Sequence, residues 1–363
     1  MTKKKVLIAT GGTGGHIFPA YSLANFFIKK DLNVKLTTDL RGKKFLGETK
    51  NFEQILIPSS PLNQKNIFSL ILSVFINFLG ILKSLLILIL NRPSVVFGMG
   101  GYSSFPICIA ASILRIKFVI YENNLIIGKA NRYLLPFAKK IFVSYKEIEN
   151  IPKKYNKKIL EIGNLVREEI INEYTSSLKK SDDCLNILVL GGSQAAKIFA
   201  EELPTIFEKL KKKNISLKIF QQCQNIQNEQ LYSFYNKAGI EHEIFNFTNN
   251  IMNYYSKANL VITRSGASVL GELINVKIPF ISIPLPSSAD NHQFKNAEFY
   301  AQKGYGYLLE EKDIKYKLYE MIISIFNDKS LIKKILLNQS YHSDISIFKK
   351  LNSYIEKILN EKN

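Results

Sequence analysis

The sequence has no tryptophan, only three cysteines and only four histidines among its 363 residues. Cys108, Cys184 and Cys223 lie far apart and form no CxxC pair, so the sequence predicts neither a disulfide framework nor a zinc site, and a reducing cytoplasm fits this content. No strand-like run is followed by an Asp-x-Asp pair, which argues against a metal-dependent diphosphate site. The N-terminus lacks the apolar core and cleavage site of a signal peptide.

Negative charge is also scarce, because 30 Asp and Glu residues stand against 49 Lys and Arg residues, for a net charge of +19. Such an excess favours a polyanionic partner, which is a nucleic acid, an anionic membrane or a phosphorylated substrate. Biased coding composition explains the excess equally well. The basic residues are scattered rather than interleaved with aromatic residues, so we expect no nucleic-acid partner.

The most distinctive stretch is an apolar run at residues 6–9 that leads into four glycines within residues 11–15. The run is typical of a strand buried on both faces of a parallel sheet, and the glycines allow a tight turn close to a ligand. We expect a helix to begin at about His16 and to direct its free N–H groups at the turn. That arrangement suits a phosphate or a diphosphate.

The strand and Gly-Gly turn recur at residues 185–194, half a chain away. Further strand-like runs, separated by helix-length segments, lie at residues 33–38, 52–57, 94–97, 117–121, 140–143, 158–161, 217–221, 243–245, 260–263, 279–283 and 305–309. This alternation predicts an α/β fold of two Rossmann-like domains with parallel sheets that face each other across a cleft. We place the N-terminal domain at residues 1–163 and the C-terminal domain at 164–342. A C-terminal helix within 343–363 is expected to pack back on the N-terminal domain.

Residues 67–90 form an apolar run that is long enough, at about 1.5 Å per residue, to cross a bilayer. Strand-like segments of one predicted sheet lie on both sides of it, and Asn77 and Lys83 interrupt it. We therefore favour a domain helix whose excess apolar face enters the membrane surface beside Lys65 and Arg92. A purely buried helix and a true span are the alternatives.

A second glycine loop, at residues 98–106, follows a strand at the same predicted sheet edge as the first, where open α/β sheets bind ligands. Two converging loops suggest a diphosphate with a group attached. His16 lies at a helix N-terminus, which disfavours the protonated imidazole, so it is a candidate general base. Glu122 ends another strand at this edge and is the second candidate for acid/base or hydroxyl-binding work. Purely structural turns and a histidine that only packs or caps are the alternatives.

In the second half, residues 261–272 again read as strand, small-residue turn and helix. Backbone N–H groups at residues 264–266 are placed to hold a diphosphate, and Glu272 to accept hydrogen bonds from a ribose diol. A surface ion pair for Arg264 and a solvated position for Glu272 are the alternatives. Residues 288–296 place amide and imidazole side chains at a loop-to-helix start, which suits sugar hydroxyls. A leaving diphosphate would be stabilised electrostatically by helix N-termini, backbone amides and arginine.

Seven motifs carry a family resemblance: GGTGGHIFPA at residues 11–20, GMGGYSSFP at 98–106, YENN at 121–124, GNLVR at 163–167, GGSQAAK at 191–197, TRSGASVLGE at 263–272 and DNHQFKNA at 290–297. In this order they resemble the bacterial GT-B glycosyltransferases that move N-acetylglucosamine (GlcNAc) from UDP-GlcNAc to a lipid-linked muramyl-pentapeptide diphosphate. The resemblance covers nearly the whole chain. It implies an inverting, metal-independent hexosyltransferase without a cofactor, in which the acceptor C4 hydroxyl displaces UDP in the lipid I to lipid II step of peptidoglycan synthesis.

The resemblance also implies partners and residue roles. The partners are UDP-GlcNAc, undecaprenyl-diphosphate-MurNAc-peptide and an anionic membrane surface, with the enzyme peripheral on the cytoplasmic face of the inner membrane. The catalytic candidates are His16 and Glu122. The acceptor-site candidates are Thr13, Gly14, Gly15, Gly100, Gly101 and Tyr102. The donor-site candidates are Asn124, Arg167, Ser193, Gln194, Thr248, Arg264, Ser265, Gly266, Ala267, Ser268, Glu272, His292, Gln293 and Asn296.

Five positions depart from the family pattern: Tyr121 replaces His, Asn123 replaces Gln, Leu165 replaces Pro, Ala195 replaces Gly and Val269 replaces Thr. We expect Ala195 to be tolerated if it has helical dihedral angles. Val269 removes a hydroxyl near the phosphates.

Two other functions stay open at this point. Asp39 ends the second strand, where an acidic residue holds the ribose in dinucleotide folds, so a nicotinamide-dependent oxidoreductase is the first alternative. Against it, GGTGG is not a regular GxGxxG, and a second glycine turn would have no role. A nucleic-acid-binding surface that uses the positive charge is the second alternative.

Overall fold

The computed structural model describes residues 3–47, 49, 51–61, 66–172, 184–192, 195–248 and 250–360. The chain divides into two compact units. The first unit comprises Met1–Arg167 with Asp344–Asn363, and the second comprises Glu168–Ser343. Each unit is an α/β domain with its own parallel sheet, which confirms the predicted fold class.

The first unit is built on a seven-stranded parallel sheet with the strand order β3-β2-β1-β4-β5-β6-β7. The strands are β1 (Lys5–Ala9), β2 (Asn33–Thr38), β3 (Glu53–Leu56), β4 (Val95–Gly98), β5 (Phe118–Glu122), β6 (Lys140–Val143) and β7 (Ile159–Glu161). Strands β4 and β5 are buried along their whole length, as expected for apolar strands inside a parallel sheet. The chain order reverses between β1 and β4, so their carboxyl ends border the crevice in which open α/β sheets bind ligands.

In the described part of this unit, α-helices lie between these strands as α1 (Gly14–Lys29), α2 (Leu40–Leu46), α3 (Ile67–Asn91), α4 (Phe105–Ile113) and α5 (Lys129–Leu134). The first helix begins at Gly14, two residues earlier than the predicted start at His16. Thr13 is extended, with φ −115° and ψ 164°, and its carbonyl already accepts hydrogen bonds from the N–H groups of His16 and Ile17. Gly14 and Gly15 therefore begin the first turn of the helix, and His16 lies inside that turn.

The helix α3 has two different faces. Its small and polar residues face the protein, which is the reverse of an ordinary surface helix, whose apolar residues face the core. The buried stripe includes Ser73, Asn77, Gly80 and Ser84, whereas most of the large apolar side chains are exposed. The Asn77 side chain donates to the Ser60 carbonyl over 2.7 Å and accepts from the Ser60 N–H over 3.3 Å. A purely buried helix is therefore the wrong alternative for this segment.

The same helix is long and apolar enough to span a membrane by length and composition, with a mean hydropathy of 2.3 in its most apolar window, of which 28% is buried. A single helix of this kind is weak evidence for a span. It connects two strands of one sheet, because β3 precedes it and β4 follows it. The polar stripe that holds it against the protein fits a domain helix.

The second unit is built on a six-stranded parallel sheet with the order β10-β9-β8-β11-β12-β13. Its strands are β8 (Leu185–Leu190), β9 (Leu217–Gln222), β10 (Glu241–Phe245), β11 (Leu260–Thr263), β12 (Phe280–Ser282) and β13 (Tyr307–Leu308). Its helices are α6 (Glu168–Asn172), α7 (Lys197–Lys212), α8 (Asn228–Lys237), α9 (Met252–Tyr255), α10 (Ala267–Asn275), α11 (His292–Gln302), α12 (Ile314–Asn327) and α13 (Lys329–Ser340). Here the chain order reverses between β8 and β11, so their carboxyl ends border the equivalent crevice.

The last helix, α14 (Ile347–Asn360), packs on the first unit. The rings of Phe26 and Phe348 stack with centroids 4.9 Å apart, and Leu351 is fully buried. Before the helix, the buried carboxylate of Asp344 accepts hydrogen bonds from the backbone N–H and the side-chain amide of Asn164, both over 3.1 Å. The end of the chain therefore completes the first unit.

The Tyr121 hydroxyl joins β5 to residues 163–165. It accepts the N–H of Leu165 over 3.0 Å, lies 3.2 Å from the Gly163 carbonyl oxygen, and lies 3.0 Å from the Ser144 hydroxyl. Burial raises the pKa of Tyr121, so the hydroxyl keeps its proton and can donate it while it accepts from Leu165. Two departures from the family pattern, Tyr121 and Leu165, thus bond to each other.

We predict that Tyr121→Phe destabilises the first unit by about 1–3 kcal/mol, because the buried Leu165 N–H loses its acceptor. Thermal unfolding followed by circular dichroism measures the change as a lower Tm of the first unit. Tyr133→Phe, at a position 66% exposed, is the matched control and should leave the Tm unchanged. An unchanged Tm in Tyr121→Phe would show that the hydroxyl contributes nothing to this segment.

Candidate active site

The first glycine turn connects β1 to α1 and is fixed by a neighbouring carboxylate. The Asp39 Oδ1 accepts the N–H of Gly12 over 3.1 Å and the N–H of Gly42 over 2.7 Å. On the other side of the turn, the Thr10 hydroxyl donates to the His16 carbonyl over 2.9 Å. The N-terminus of α1 is therefore held rigidly at the carboxyl end of β1.

The second glycine turn follows β4 and packs directly on the first. Gly100 and Gly101 have φ values of +85° and +72°, which side chains rarely adopt. A Cβ on Gly100 would lie 2.9 Å from both Cε1 and Nδ1 of His16, and a Cβ on Gly101 would lie 3.2 Å from the Gly11 carbonyl oxygen. The structure thus brings Gly11 and His16 of the first turn next to Gly100 and Gly101 of the second.

Glu122, at the end of β5, holds the next loop in place. Its Oε1 accepts from the backbone and side-chain amides of Asn124 over 3.1 and 2.8 Å, and its Oε2 accepts from the Gly128 N–H and the Asn131 amide over 2.9 and 3.0 Å. Only 2% of the residue is exposed. A buried carboxylate with four donors positions Asn124, and this arrangement favours a positioning role over the acid/base role expected from the sequence.

Two further contacts connect neighbouring loops to the first helix. The Asn123 side chain donates to the Gly15 carbonyl over 3.0 Å, so the loop after β5 is bonded to the first turn of α1. The Arg167 guanidinium lies 5.0 Å from the centre of the Phe18 ring, which itself packs against Gly14. Arg167 therefore lies near the same helix N-terminus as the other candidates of this unit.

The glycine turn of the second unit follows β8, and two of its candidates, Ser193 and Gln194, lie outside the described residues. The Gly191 N–H donates to the Gln222 Oε1 over 3.1 Å. Ala195 has a φ of +45°, in the left-handed region, so the condition under which we expect this alanine to be tolerated, helical dihedral angles, is not met. A Cβ in that region crowds the following carbonyl, which costs about 1–2 kcal/mol.

The turn after β11 contains Arg264, Ser265 and Gly266. The Arg264 side chain points into the unit rather than to its surface: it donates to the carbonyls of Ile283 and Pro284, pairs with Glu311, and is 7% exposed. The Arg264 guanidinium therefore forms a buried ion pair and buried hydrogen bonds, and the surface ion pair of the alternative is wrong. The backbone of the turn precedes the N-terminus of α10, which begins at Ala267 and includes Ser268.

Three further donor candidates lie in helices α10 and α11. The Asn296 amide donates to the Ser265 carbonyl over 3.1 Å, and the Gln293 Oε1 accepts the Leu285 N–H over 3.0 Å. Glu272, in α10, is 6% exposed and accepts from the Tyr255 hydroxyl over 2.9 Å. It is therefore not the solvated helix residue of the alternative.

Two candidates lie farther along the loops of this unit. His292 begins α11, with Nδ1 2.7 Å from the Ala289 carbonyl oxygen. The Thr248 hydroxyl, in the loop after β10, accepts the Asn250 N–H over 3.0 Å. Cys108, Cys184 and Cys223 are free thiols. Among the residues that the structure describes, no group of three or more His, Cys, Asp and Glu side chains is placed to hold a metal ion.

Two residues at these sites were not predicted from the sequence: Asn131, which bonds Glu122, and Arg41, whose guanidinium lies over the Tyr102 ring with Cζ 5.2 Å from its centre. Asn131 lies in α5 and Arg41 in α2, the helices that follow β5 and β2 of the same sheet. Tracing every residue that follows a strand end, rather than the glycine loops alone, would have found Arg41.

Solved structures define the fold first, as a GT-B fold. The crystal structure of Acinetobacter baumannii MurG matches 98% of this chain and 99% of its own, with a TM-score of 0.76 and 23% identity. The UDP-GlcNAc 2-epimerase of Neisseria meningitidis bound to UDP-GlcNAc matches 97% of this chain and all of its own, with a TM-score of 0.68 and 14% identity. At these identities the likeness shows the fold alone.

Sequence relatives define the family. Residues 6–143 match the glycosyltransferase family 28 N-terminal domain, and residues 186–352 match the family 28 C-terminal domain. Proteins of Pelagibacter ubique and Rickettsia felis, each 37% identical, match 91% of this chain and 92% and 93% of their own lengths. Both are named UDP-N-acetylglucosamine–N-acetylmuramyl-(pentapeptide) pyrophosphoryl-undecaprenol N-acetylglucosamine transferase. The chain therefore belongs to this family of transferases within glycosyltransferase family 28.

This membership makes the nicotinamide-dependent oxidoreductase the wrong alternative. The structure gives the physical reason at Asp39. Its carboxylate caps α2 by accepting the Gly42 N–H, accepts the Gly12 N–H as well, and pairs with Arg41 over 3.3 Å. An acidic residue after the second strand is thus used to fix the glycine turn.

We predict that Ala195→Gly stabilises the second unit by about 1 kcal/mol, because glycine adopts positive φ without a steric cost. The expected result is a higher Tm for the second unit in calorimetry. Ala258→Gly, a buried alanine outside the positive-φ positions, is the control and should lower the Tm. A lower Tm for both variants would show that position 195 is not strained.

Proposed function

We propose that the chain transfers GlcNAc from UDP-GlcNAc to the C4 hydroxyl of a lipid-linked MurNAc-pentapeptide diphosphate, with inversion at the anomeric carbon. The observation that carries the proposal is the convergence of His16 with two glycine turns at the carboxyl ends of β1 and β4, in a chain of this family. The convergence supports a base at His16 beside backbone N–H groups that suit a diphosphate.

In the first unit, the acceptor diphosphate binds at the N-terminus of α1, against Thr13, Gly14 and Gly15. His16 accepts the proton of the C4 hydroxyl as its oxygen forms a bond to the donor anomeric carbon. The bond between that carbon and the diphosphate oxygen breaks in the same step, and UDP leaves with the electron pair. The second turn, at Gly100 to Tyr102, completes the acceptor site, and Asn124, held by Glu122, contacts the donor sugar.

In the second unit, the donor diphosphate binds to the turn at Gly191 and to the N-terminus of α10. Glu272 accepts hydrogen bonds from the ribose, and the Thr248 loop contacts the base. Gln293, His292 and Asn296 recognise the sugar hydroxyls. Arg264 acts from the interior by holding the turn that carries Ser265 to Ser268. Helix N-termini and backbone amides stabilise the leaving diphosphate, so the reaction needs neither a metal ion nor a cofactor.

The exposed side of α3 binds an anionic membrane, so that the enzyme is a peripheral protein on the cytoplasmic face of that membrane. Its outward residues include Phe75, Phe78 and Leu82, which are 54%, 53% and 47% exposed. A helix that turns its polar stripe to the protein and its apolar side outward gains free energy by entering a lipid interface. The net charge of +19 adds attraction to anionic headgroups.

We expect UDP release from UDP-GlcNAc only when the lipid-diphosphate acceptor is present, equally with and without EDTA, and faster than from UDP-GalNAc or UDP-glucose. His16→Ala should lower kcat about 10²–10⁴-fold, the usual contribution of a general base, while the Kd for UDP stays within about twofold. Coupled UDP detection and isothermal titration calorimetry measure these two quantities.

His242→Ala is the control, because this ring packs on Tyr232 and Tyr235 in the second unit and should be dispensable for turnover. Equal loss of turnover and UDP binding in His16→Ala would remove His16 from the base role. Folded wild-type protein that releases no UDP with both substrates present would contradict the proposed reaction.

A second expectation concerns the membrane. Phe75→Asp combined with Phe78→Asp should weaken binding to phosphatidylglycerol vesicles at least about tenfold, because each buried Phe contributes about 1.5–3 kcal/mol. Vesicle sedimentation measures the binding, and neutral vesicles show how much of it is electrostatic. Ile226→Asp is the control, since this 88% exposed side chain lies in the second unit. Unchanged sedimentation of the double variant would contradict membrane contact through α3.

A further inference from the structure

The two glycine turns of the first unit contain no lysine or arginine, although the proposed acceptor brings a diphosphate to them. Residues 11–16 read GGTGGH and residues 98–106 read GMGGYSSFP. Backbone N–H groups and a helix N-terminus supply only partial positive charge. A cation from a neighbouring element would complete this site, and Arg41 is placed to supply it.

The helix that carries Arg41 is attached to the first turn. Asp39 bonds the N–H groups of Gly12 and Gly42 with the same oxygen. A Cβ on Gly42 would lie 3.2 Å from the Gly11 Cα, so the start of α2 is packed against the turn. Arg41, between these contacts, is therefore fixed in position relative to the turn rather than carried on a free loop.

The Arg41 guanidinium lies beside both turns. Its Nη2 is 4.0 Å from the position of a Cβ on Gly12, and its Cζ is 5.2 Å from the centre of the Tyr102 ring on the second turn. The Nη2 atom is also 3.3 Å from the Asp39 Oδ2, yet half of the side chain's surface is exposed. The group is thus held between an aromatic face and a carboxylate while part of it faces outward.

Arg41 keeps its positive charge in this position. Partial burial lowers the pKa of Arg41, but its hydrogen bond with Tyr102 and the charge of Asp39 outweigh burial and raise it overall. A guanidinium has five N–H donors in a planar fork, which matches phosphate oxygens better than an ammonium group does. Asp39 engages one edge of the fork, and the exposed part is available to an anion.

We propose that Arg41 binds the acceptor diphosphate and makes the enzyme select a diphosphate over a monophosphate acceptor. This inference rests on the proposed function, because it assigns a residue to the acceptor site. Asp39 and Tyr102 position the guanidinium, and Arg41 touches the phosphate oxygens. A charge-assisted hydrogen bond of this kind contributes about 10–150-fold to affinity.

The test combines two enzyme forms with two acceptors. A short-chain lipid-linked MurNAc-peptide is made with a diphosphate and with a monophosphate, and kcat/KM is measured for wild type and Arg41→Gln. We expect Arg41→Gln to lower kcat/KM about 30-fold for the diphosphate acceptor and at most about threefold for the monophosphate acceptor. Arg41→Lys should fall between, since it keeps the charge but loses the fork.

Lys43→Gln is the matched control, because it removes one positive charge from an exposed position of the same helix. It should change kcat/KM less than about twofold for either acceptor. Equal losses for both acceptors in Arg41→Gln would show that Arg41 only holds the turns in shape, and unchanged kinetics would show that it makes no contact. Either result overturns the inference.

A binding measurement separates this inference from the proposed reaction. With UDP at saturation to fill the donor site, inorganic pyrophosphate is titrated into wild type and Arg41→Gln. At least tenfold weaker binding by the variant supports the anion site even if wild type transfers no sugar, which would count against the reaction alone. Equal pyrophosphate affinity in an active wild type and the variant would overturn the role of Arg41 and leave the reaction standing.

Discussion

The contact between the His16 imidazole and the backbone at Gly100 is the constraint on which the first unit's site depends. It exists because β1 and β4 are neighbours in the sheet, so the turns that follow them must share the same edge. Any side chain at position 100 would meet the ring at 2.9 Å. The glycines therefore serve two purposes: they permit positive φ, and they leave the volume in which the imidazole lies.

Around that contact, the carboxylates of the first unit act through other groups. Asp39 follows β2 and Glu122 is the last residue of β5; both are almost fully buried and accept backbone N–H groups from the segments that follow. Carboxylates of this kind hold turns at defined distances, which is what electrostatic catalysis by preorganised dipoles requires. His16 and Arg41 both lie beside turns that these carboxylates and their hydrogen bonds hold in place.

Much of the fold follows from the sequence, whereas side-chain direction does not. The predicted strands at 33–38, 140–143 and 260–263 match the structure residue for residue, because short apolar runs between turns leave few alternatives. The direction of Arg264 depends on carbonyls about 20 residues away and on Glu311, which periodicity cannot reveal. The apolar run at 67–90 was read from composition, but only the three-dimensional contacts show that its polar stripe faces inward.

The departures from the family pattern differ in whether a neighbour compensates for them. A proline at position 165 would have no N–H, whereas Leu165 has a buried one, and a buried donor without an acceptor costs about 1–3 kcal/mol. The hydroxyl at position 121, where histidine is usual, accepts that N–H, so the two changes fit each other. At Ala195 the strain is steric and local to one residue, so no hydrogen bond from a neighbour can relieve it. The changes at positions 121 and 165 of the first unit therefore compensate each other through one hydrogen bond, whereas the second unit retains the strain in the turn after β8.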